Sequence, residues 1–333
     1  MGNFALVSYD VDDRPQKNFI NKLSHLLSRN NKKIKQQQLK FSDLDLNCYL
    51  IQLPYSLTDI KEFSDRKSRK LEEQLIQVCS EANIQEIIYP GNLMRLGIFN
   101  ITSIYTGKYI YESLLLRILN EIFTLRGIKL SNLDIAFIHG DNYQELYSLV
   151  WFLSPFIKYL TIVTEDKDII MNELEKLCED TGLSVRLTND LKNGLADCDV
   201  VINLLNLTDF NNATRIKTKA IVINYNGSDI GKLFEKNEMI NGIEIKIPDK
   251  IKSIIPEHVQ KLYTSAELSE IVLIHKEEHG GFLTSGSYKL EALISLDREF
   301  ERLGFKINGF VGRHGFLNRE NISISSTKSG KVI

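Results

Sequence analysis

The segment Ile135 to Leu146, IAFIHGDNYQEL, is where the residue types of this chain come nearest to a phosphate-binding turn. An apolar run meets a glycine and passes into a helical pattern, the arrangement in which backbone amides and a helix N-terminus hold a pyrophosphate. A dinucleotide fingerprint, G-x-G-x-x-G, uses its glycines for a tight turn, for close backbone approach to the pyrophosphate and for helix-on-strand packing. Registered on Gly140 the three positions are Gly140, Asn142 and Glu145, so only the first is a glycine. Asp141 and Glu145 place carboxylates where a diphosphate would lie, and like charges a few ångström apart cost on the order of 1 kcal/mol even in water. About 25 residues after Gly140, YLTIVTED ends in Glu165 and Asp166. A carboxylate there binds the ribose hydroxyls of NAD and repels the 2′-phosphate of NADP. The spacing predicts a remodelled phosphate turn at Gly140, Asp141 and Asn142 and ribose contacts at Glu165 and Asp166; an acidic first turn of a helix would use the last two equally well.

HKEEH, residues 275 to 279, matches H-x-x-E-H, in which two histidines share a helix face around zinc and a glutamate activates water. The same residues suit a helix C-terminus, where the dipole favours cations. Two glycine-rich stretches, EEHGGFLTSGS and NGFVGRHGFL (308 to 317), read as loops around helix ends or as a lid carrying Arg313 and His314. There is no Ser/His/Asp set, Walker loop or nucleic-acid motif.

With 41 Lys plus Arg against 43 Asp plus Glu, the net charge of −2 sets up no field toward nucleic acid or an anionic membrane. The basic cluster at residues 30 to 40, NNKKIKQQQLK, lacks interleaved aromatics and reads as a solvated loop and edge strand. Cys48, Cys79, Cys178 and Cys198 form no C-x-x-C pair, which argues against a disulfide framework and a thiolate zinc site and predicts a reducing cytoplasm. The N-terminus shows no export pattern. The most apolar segment, from Leu146, is interrupted by Pro155 and Lys158 and reads as a buried helix and then a strand.

These residues need a scaffold, and 333 of them suggest two domains. Strand patterns at 4–9, 47–53 and 84–90, with helical patterns at 16–29 and 59–82, predict an N-terminal α/β domain over 1–106. The segment from Gly107 to Gly127 is apolar round most of its circumference and predicts one buried connecting helix. From 128 to 247, Val/Ile/Leu runs alternate with helices, the signature of a parallel sheet covered on both faces, so the fold class is α/β with a doubly wound, Rossmann-like domain. Residues 248–320 predict closing helices that pack back on the N-terminal domain, one running from about Glu257 to His279, and 321–333 a polar tail.

LADCDVVINLLN (195 to 206), AIVINYNGSDIGKLFEKNEMING (220 to 242) and YTGKYIYESLL (105 to 115) resemble, in that order, the "ADLVINAT", "VVDVVYNP" and "NTDGxGF" segments of the shikimate and quinate dehydrogenase family. The resemblance implies an NAD(P)-dependent oxidoreductase with a small polar substrate in an interdomain cleft, and Asn203, Leu204, Asn206 and Asn226 around the nicotinamide. The family's catalytic aspartate falls on Gly107 and its neighbouring glycine on Lys108; no "NVTxPxK" segment supplies its catalytic lysine, and its NADP-selecting "NRT" becomes Thr164-Glu165-Asp166. Shikimate chemistry is therefore not implied, NAD is favoured over NADP, and Lys108 is left as the candidate acid–base residue if burial lowers its pKa.

Three functions follow as expectations: that oxidoreductase, a degenerate Rossmann-fold protein that senses a ligand or binds a protein, and a zinc hydrolase using His275, Glu278 and His279. The expected partner is a small molecule, with no nucleic acid and no membrane; a homo-oligomer is compatible with the sequence.

Overall fold

The computed structural model describes residues 3–10, 33–99, 104–205, 216–217, 219–226, 234–276 and 290–317. The helical pattern at 16–29, Asn206, Glu278, His279, the first glycine-rich stretch and the tail lie outside these residues. The chain divides into two compact units: Met1–Thr106 with Ile247–Glu278, and Gly107–Lys246 with His279–Ile333.

Unit 1 is built on β1 (Asn3–Asp10), β2 (Lys35–Phe41), β3 (Leu46–Ser56) and β4 (Ile84–Ile88), in the order β2-β3-β1-β4. β1 runs parallel to β3 and β4, while β2 is an antiparallel edge. That edge strand is mostly exposed and carries Lys35, Gln36, Gln37 and Gln38, a polar border that discourages further pairing. β3 continues through Pro54, where a strand end is predicted. Its pairing with β2 stops at Gln52 and its register with β1 slips beyond Leu53, so Pro54 withholds no ladder donor. α1 (Leu57–Lys61) follows, and α2 (Asp65–Glu81) buries Leu71, Leu75 and Cys79 against the sheet. A short α3 (Gly91–Met94) comes after β4.

The parallel sheet expected of the second domain is present in unit 2. Two helices, α4 (Lys108–Ser113) and α5 (Leu115–Leu125), replace the single helix predicted from Gly107 to Gly127, and both belong to this unit. The break is at Leu114, where the Ser113 hydroxyl donates to the Ile110 carbonyl and competes with the helix ladder. The sheet contains β5 (Ile135–Ile138), β6 (Tyr159–Val163), β7 (Ser184–Thr188), β8 (Val200–Asn203), β9 (Ile221–Asn224) and β10 (Glu238–Lys246). Their order, β7-β6-β5-β8-β9-β10, is all parallel, and it is the doubly wound dinucleotide order. α6 (Tyr143–Leu153), α7 (Lys167–Thr181) and α8 (Leu191–Leu195) connect strands along it. β5, β8 and β9 are buried throughout, which is why they read as unbroken apolar runs.

The C-terminal region departs from the prediction. Residues 248–320 do not all return to the N-terminal domain. α9 (Asp249–Lys252), α10 (Glu257–Gln260) and α11 (Ser265–Lys276) lie in unit 1 and stand where one helix from 257 to 279 is predicted. The Tyr263 hydroxyl anchors that segment, accepting from the Val7 amide at 3.1 Å and lying 2.9 Å from the Ile88 carbonyl. α12 (Leu290–Arg302) packs instead on α4 and α6, and β11 (Lys306–Gly312) and β12 (Gly315–Leu317) extend the large sheet as antiparallel strands. The second glycine-rich stretch is thus a hairpin and not a lid. Its glycines make room for side chains: a Cβ on Gly309 would lie 2.4 Å from the Phe316 ring, and one on Gly312 2.6 Å from Leu317.

Candidate functional site

The carboxyl ends of β5 and β8 are neighbours where the strand order reverses, the switch point at which open α/β sheets bind ligands. In this protein the two loops touch. The Leu204 amide donates to the Ile138 carbonyl at 3.0 Å, and a Cβ on Gly140 would fall 2.2 Å from the Leu204 carbonyl oxygen. Gly140 is therefore accounted for by close packing of backbone on backbone.

Beyond it, the exposed Asp141 leads to Asn142, which caps α6: its Oδ1 accepts from the Glu145 amide at 3.2 Å. One of the amides that could meet an anion is thereby used. The Glu145 side chain, only 7% exposed, turns toward α4, where Lys108 Nζ lies 3.0 Å from it and 3.5 Å from Glu112. The Glu112 side chain is wholly buried, and among the described residues no well-aligned hydrogen bond reaches its oxygens, Lys108 Nζ being the donor beside it. Burial first, and the Glu145 charge second, push the Glu112 carboxyl well above the usual carboxylate range, with Lys108 opposing. Beside it the buried Tyr225 hydroxyl also lacks a partner among the described residues, with its ring 4.5 Å from that of Tyr111, whose own hydroxyl donates to the Ile240 carbonyl.

Lys108 does not meet the condition set for an acid–base lysine. Burial pulls its pKa down, but Glu112 and Glu145 more than offset this, and the net shift is upward. It stays an ammonium at neutral pH and cannot begin a reaction as a free amine base.

The end of β6 is different. His139 Nδ1 lies 3.1 Å from Thr164 Oγ1, which also accepts from the Asp166 amide at 3.1 Å, and Tyr143 donates to the Asp166 carboxylate at 3.1 Å. Burial lowers the His139 pKa, against the pull of Asp166, Asp141 and Glu145, so the ring is held neutral; its Nε2 is buried without a partner among the described residues. Glu165 and Asp166 are exposed. This edge fits a ribose, with carboxylates open to solvent at the second strand end. The turn after β5 does not fit a pyrophosphate: its second and third glycine positions carry an N-cap and a buried carboxylate, and Asp141 stands beside them.

From the ends of β8 and β9 to the middle of β10, three asparagines form a chain of side-chain amides. Asn203 Nδ2 donates to Asn224 Oδ1 at 2.9 Å, and Asn224 Nδ2 to Asn241 Oδ1 at 3.0 Å. Asn203 is fully buried and its remaining groups bond Leu205, so it positions backbone and does not face a ligand. Leu204 is buried too, and its carbonyl accepts from the exposed Asn226 amide at 3.3 Å. Asn206 lies outside the described residues. The sequence reading missed Glu112, Tyr225, His139, Asn224 and Asn241. For Glu112 a signal existed, since an acid on a helix apolar round most of its circumference has to be buried or paired.

Of the zinc pattern only His275 lies within the described residues, and its ring is engaged elsewhere. His275 Nδ1 bonds the Ile271 carbonyl at 2.8 Å, its Nε2 faces Glu86 at 3.1 Å, and its ring stacks on Phe4 at 3.8 Å. Among the described residues no group of three or more His, Cys, Asp or Glu can hold a metal, and the four cysteines are free thiols. No helix among them is long and apolar enough to cross a membrane. Unit 1 has an open pocket of about 210 Å³ between Phe41, Leu44 and Ile251, rimmed by Lys40 and Lys250, and none of the candidate residues lines it.

No family model matches the chain, and no curated protein matches its sequence. Solved structures similar to it include the L-tryptophan dehydrogenase of Nostoc punctiforme, at 12% identity over 98% of this chain and 87% of that one, with a TM-score of 0.34. The shikimate 5-dehydrogenase of Listeria monocytogenes is 11% identical over 80% of this chain and 94% of that one, with a TM-score of 0.32. The ornithine transcarbamoylase of Giardia lamblia is 15% identical over 67% of this chain and 72% of that one, with a TM-score of 0.29. Likenesses of this degree, divided between dehydrogenases and carbamoyltransferases, assign the chain to no family.

Proposed function

We propose that unit 2 is a ligand-binding module that takes a ribose-bearing small molecule, a nucleoside in the first instance, at the carboxyl edge of its sheet without a pyrophosphate site. The observation that carries this reading is the filled turn after β5, where Asn142 and Glu145 occupy the positions a diphosphate needs open. Glu165 and Asp166, exposed at the end of β6, are the ribose contacts, and Tyr143 orients Asp166. Calorimetric titration of the whole chain with adenosine, NADH and NADPH tests it. Adenosine and NADH are expected to bind with similar affinity and NADPH more weakly, because its 2′-phosphate faces both carboxylates. No binding of any of the three at millimolar concentration overturns the reading.

A second reading is favoured by the acid pair itself, which is the NAD-selecting half of a dinucleotide site: an NAD-dependent oxidoreductase acting on a small polar substrate. A working pyrophosphate contact would make NADH bind at least about tenfold tighter than adenosine, a difference of about 1.4 kcal/mol. That result would move the assignment to the oxidoreductase.

A further inference from the structure

Two glutamates and one lysine meet inside unit 2 where the doubly wound fold has no need of charge. Glu145 comes from the first turn of α6 and Glu112 from α4, with Lys108 one helical turn before Glu112. As carboxylates the two acids carry two negative charges against one positive. Glu112 is wholly buried, the Lys108 side chain is 34% exposed, and no aligned donor reaches either Glu112 oxygen among the described residues. A buried acceptor with no donor costs about 1–3 kcal/mol, and more when charged. Glu112 Oε1 and Glu145 Oε1 both face the one Lys108 ammonium, at 3.5 and 3.0 Å, so the two carboxyls stand side by side, an arrangement that becomes favourable when a proton sits between them.

The other charges nearby are already matched. Arg117 on α5 pairs with Asp297 and Glu301 of α12, Arg302 pairs with Glu299 within α12, and Arg126 lies 3.6 Å from Glu238 of β10. Tyr225 and Tyr111 face the pair as neutral phenols, both held far above their ordinary pKa by burial. The charged groups acting on Glu112 are thus Glu145 and Lys108.

We propose that Glu112 and Glu145 form a proton-holding site that shares one proton at neutral pH, with Lys108, the partly exposed member, as the outlet through which it exchanges. Such a site can deliver a proton to a basic atom lying against Lys108. Lys108 gives its proton to that atom and takes the one between the carboxyls, so the ligand gains one proton, the pair loses one and Lys108 is unchanged. This stands whichever ligand the strand edge accepts.

Infrared spectroscopy of the full chain carrying carbon-13 glutamate tests the proposal through the carbonyl stretch of protonated carboxyl groups. At neutral pH the wild-type spectrum is expected to contain one such signal that is lost in Glu112→Gln and in Glu145→Gln, since either change leaves one carboxylate matched to Lys108. Lys108→Met should keep the signal and carry its titration to higher pH, because the proton is then the only positive charge left. It should also slow the shift of the signal on transfer to heavy water. Each of the two Gln variants supplies the difference spectrum if the other does not fold. A signal absent from the wild type, or one that persists in a folded Gln variant, overturns the shared proton. A Lys108→Met titration that moves to lower pH overturns the charge balance, and an unchanged exchange rate in that variant overturns the outlet.

Discussion

Two turns at the same edge of unit 2 start alike and end differently. After β6 the chain passes Thr164 into Glu165 and Asp166, whose carboxylates stay exposed, with the Tyr143 hydroxyl donating to that of Asp166 and the Asp166 amide donating to Thr164 Oγ1. After β5 it passes Gly140 into a helix whose first-turn acid is drawn inward, paired with Lys108 and pressed toward a second buried acid. Both turns carry carboxylates close to a helix start. At the β6 end solvent keeps them available to an external donor; at the β5 end burial has made the protein its own counter-ion. Residue type alone therefore does not identify an anion or sugar site, because exposure decides whether an acid recognises a ligand or consumes the space for one.

The sharpest way to break this contrast is Gly140→Ala. The added methyl meets the Leu204 backbone carbonyl, which cannot rotate aside, so a loss of about 3 kcal/mol or more is expected in urea unfolding. A loss of less than about 1 kcal/mol would show that the closed turn is loose.

Next in size is Glu112→Gln, read as stability against pH. The folded-state pKa of Glu112 lies well above its ordinary value of 4.5, so its contribution is fully present below about that pH and falls away as pH rises toward the folded value. Glutamine does not titrate. The variant should gain on the wild type by about 1 kcal/mol per pH unit across that window, visible as diverging melting temperatures. Parallel melting curves would place Glu112 in contact with solvent, like the acids after β6.

Asn142→Ala removes the cap of α6 and should cost about 1 kcal/mol. The smallest effect on folding is expected at the open end, where Glu165→Ala should change stability by less than about 0.5 kcal/mol. The same variant should weaken adenosine binding severalfold in calorimetry. If it left binding intact, the two ends would be equally inert.

Much of the scaffold is legible in the sequence because a parallel strand covered on both faces must be apolar at every position. The runs at Ile135–Ile138, Val200–Asn203 and Ile221–Asn224 meet that requirement. The hairpin of β11 and β12 is hidden by Gly309 and Gly312, which look like loop punctuation until Phe316 and Leu317 are seen lying over them. The break at Leu114 is equally silent, since Ser113 is ordinary in a helix until its hydroxyl turns back on Ile110. At the candidate site, Gly140, Asn142 and the acids of β6 can be found by spacing. The fate of Glu145 cannot, because it depends on Lys108 and Glu112, more than thirty residues earlier in the chain. Sequence periodicity places a residue on a face; which charges wait on the opposing helix is set by tertiary packing.

The chain of amides from Asn203 through Asn224 to Asn241 has a mechanical meaning. Each link hands a hydrogen to the next strand in the same direction, so the tips of β8 and β9 are moored to the middle of the longer β10. A molecule that lifts either tip has to break a link and leave a buried amide unmatched, or else pull on β10 as well.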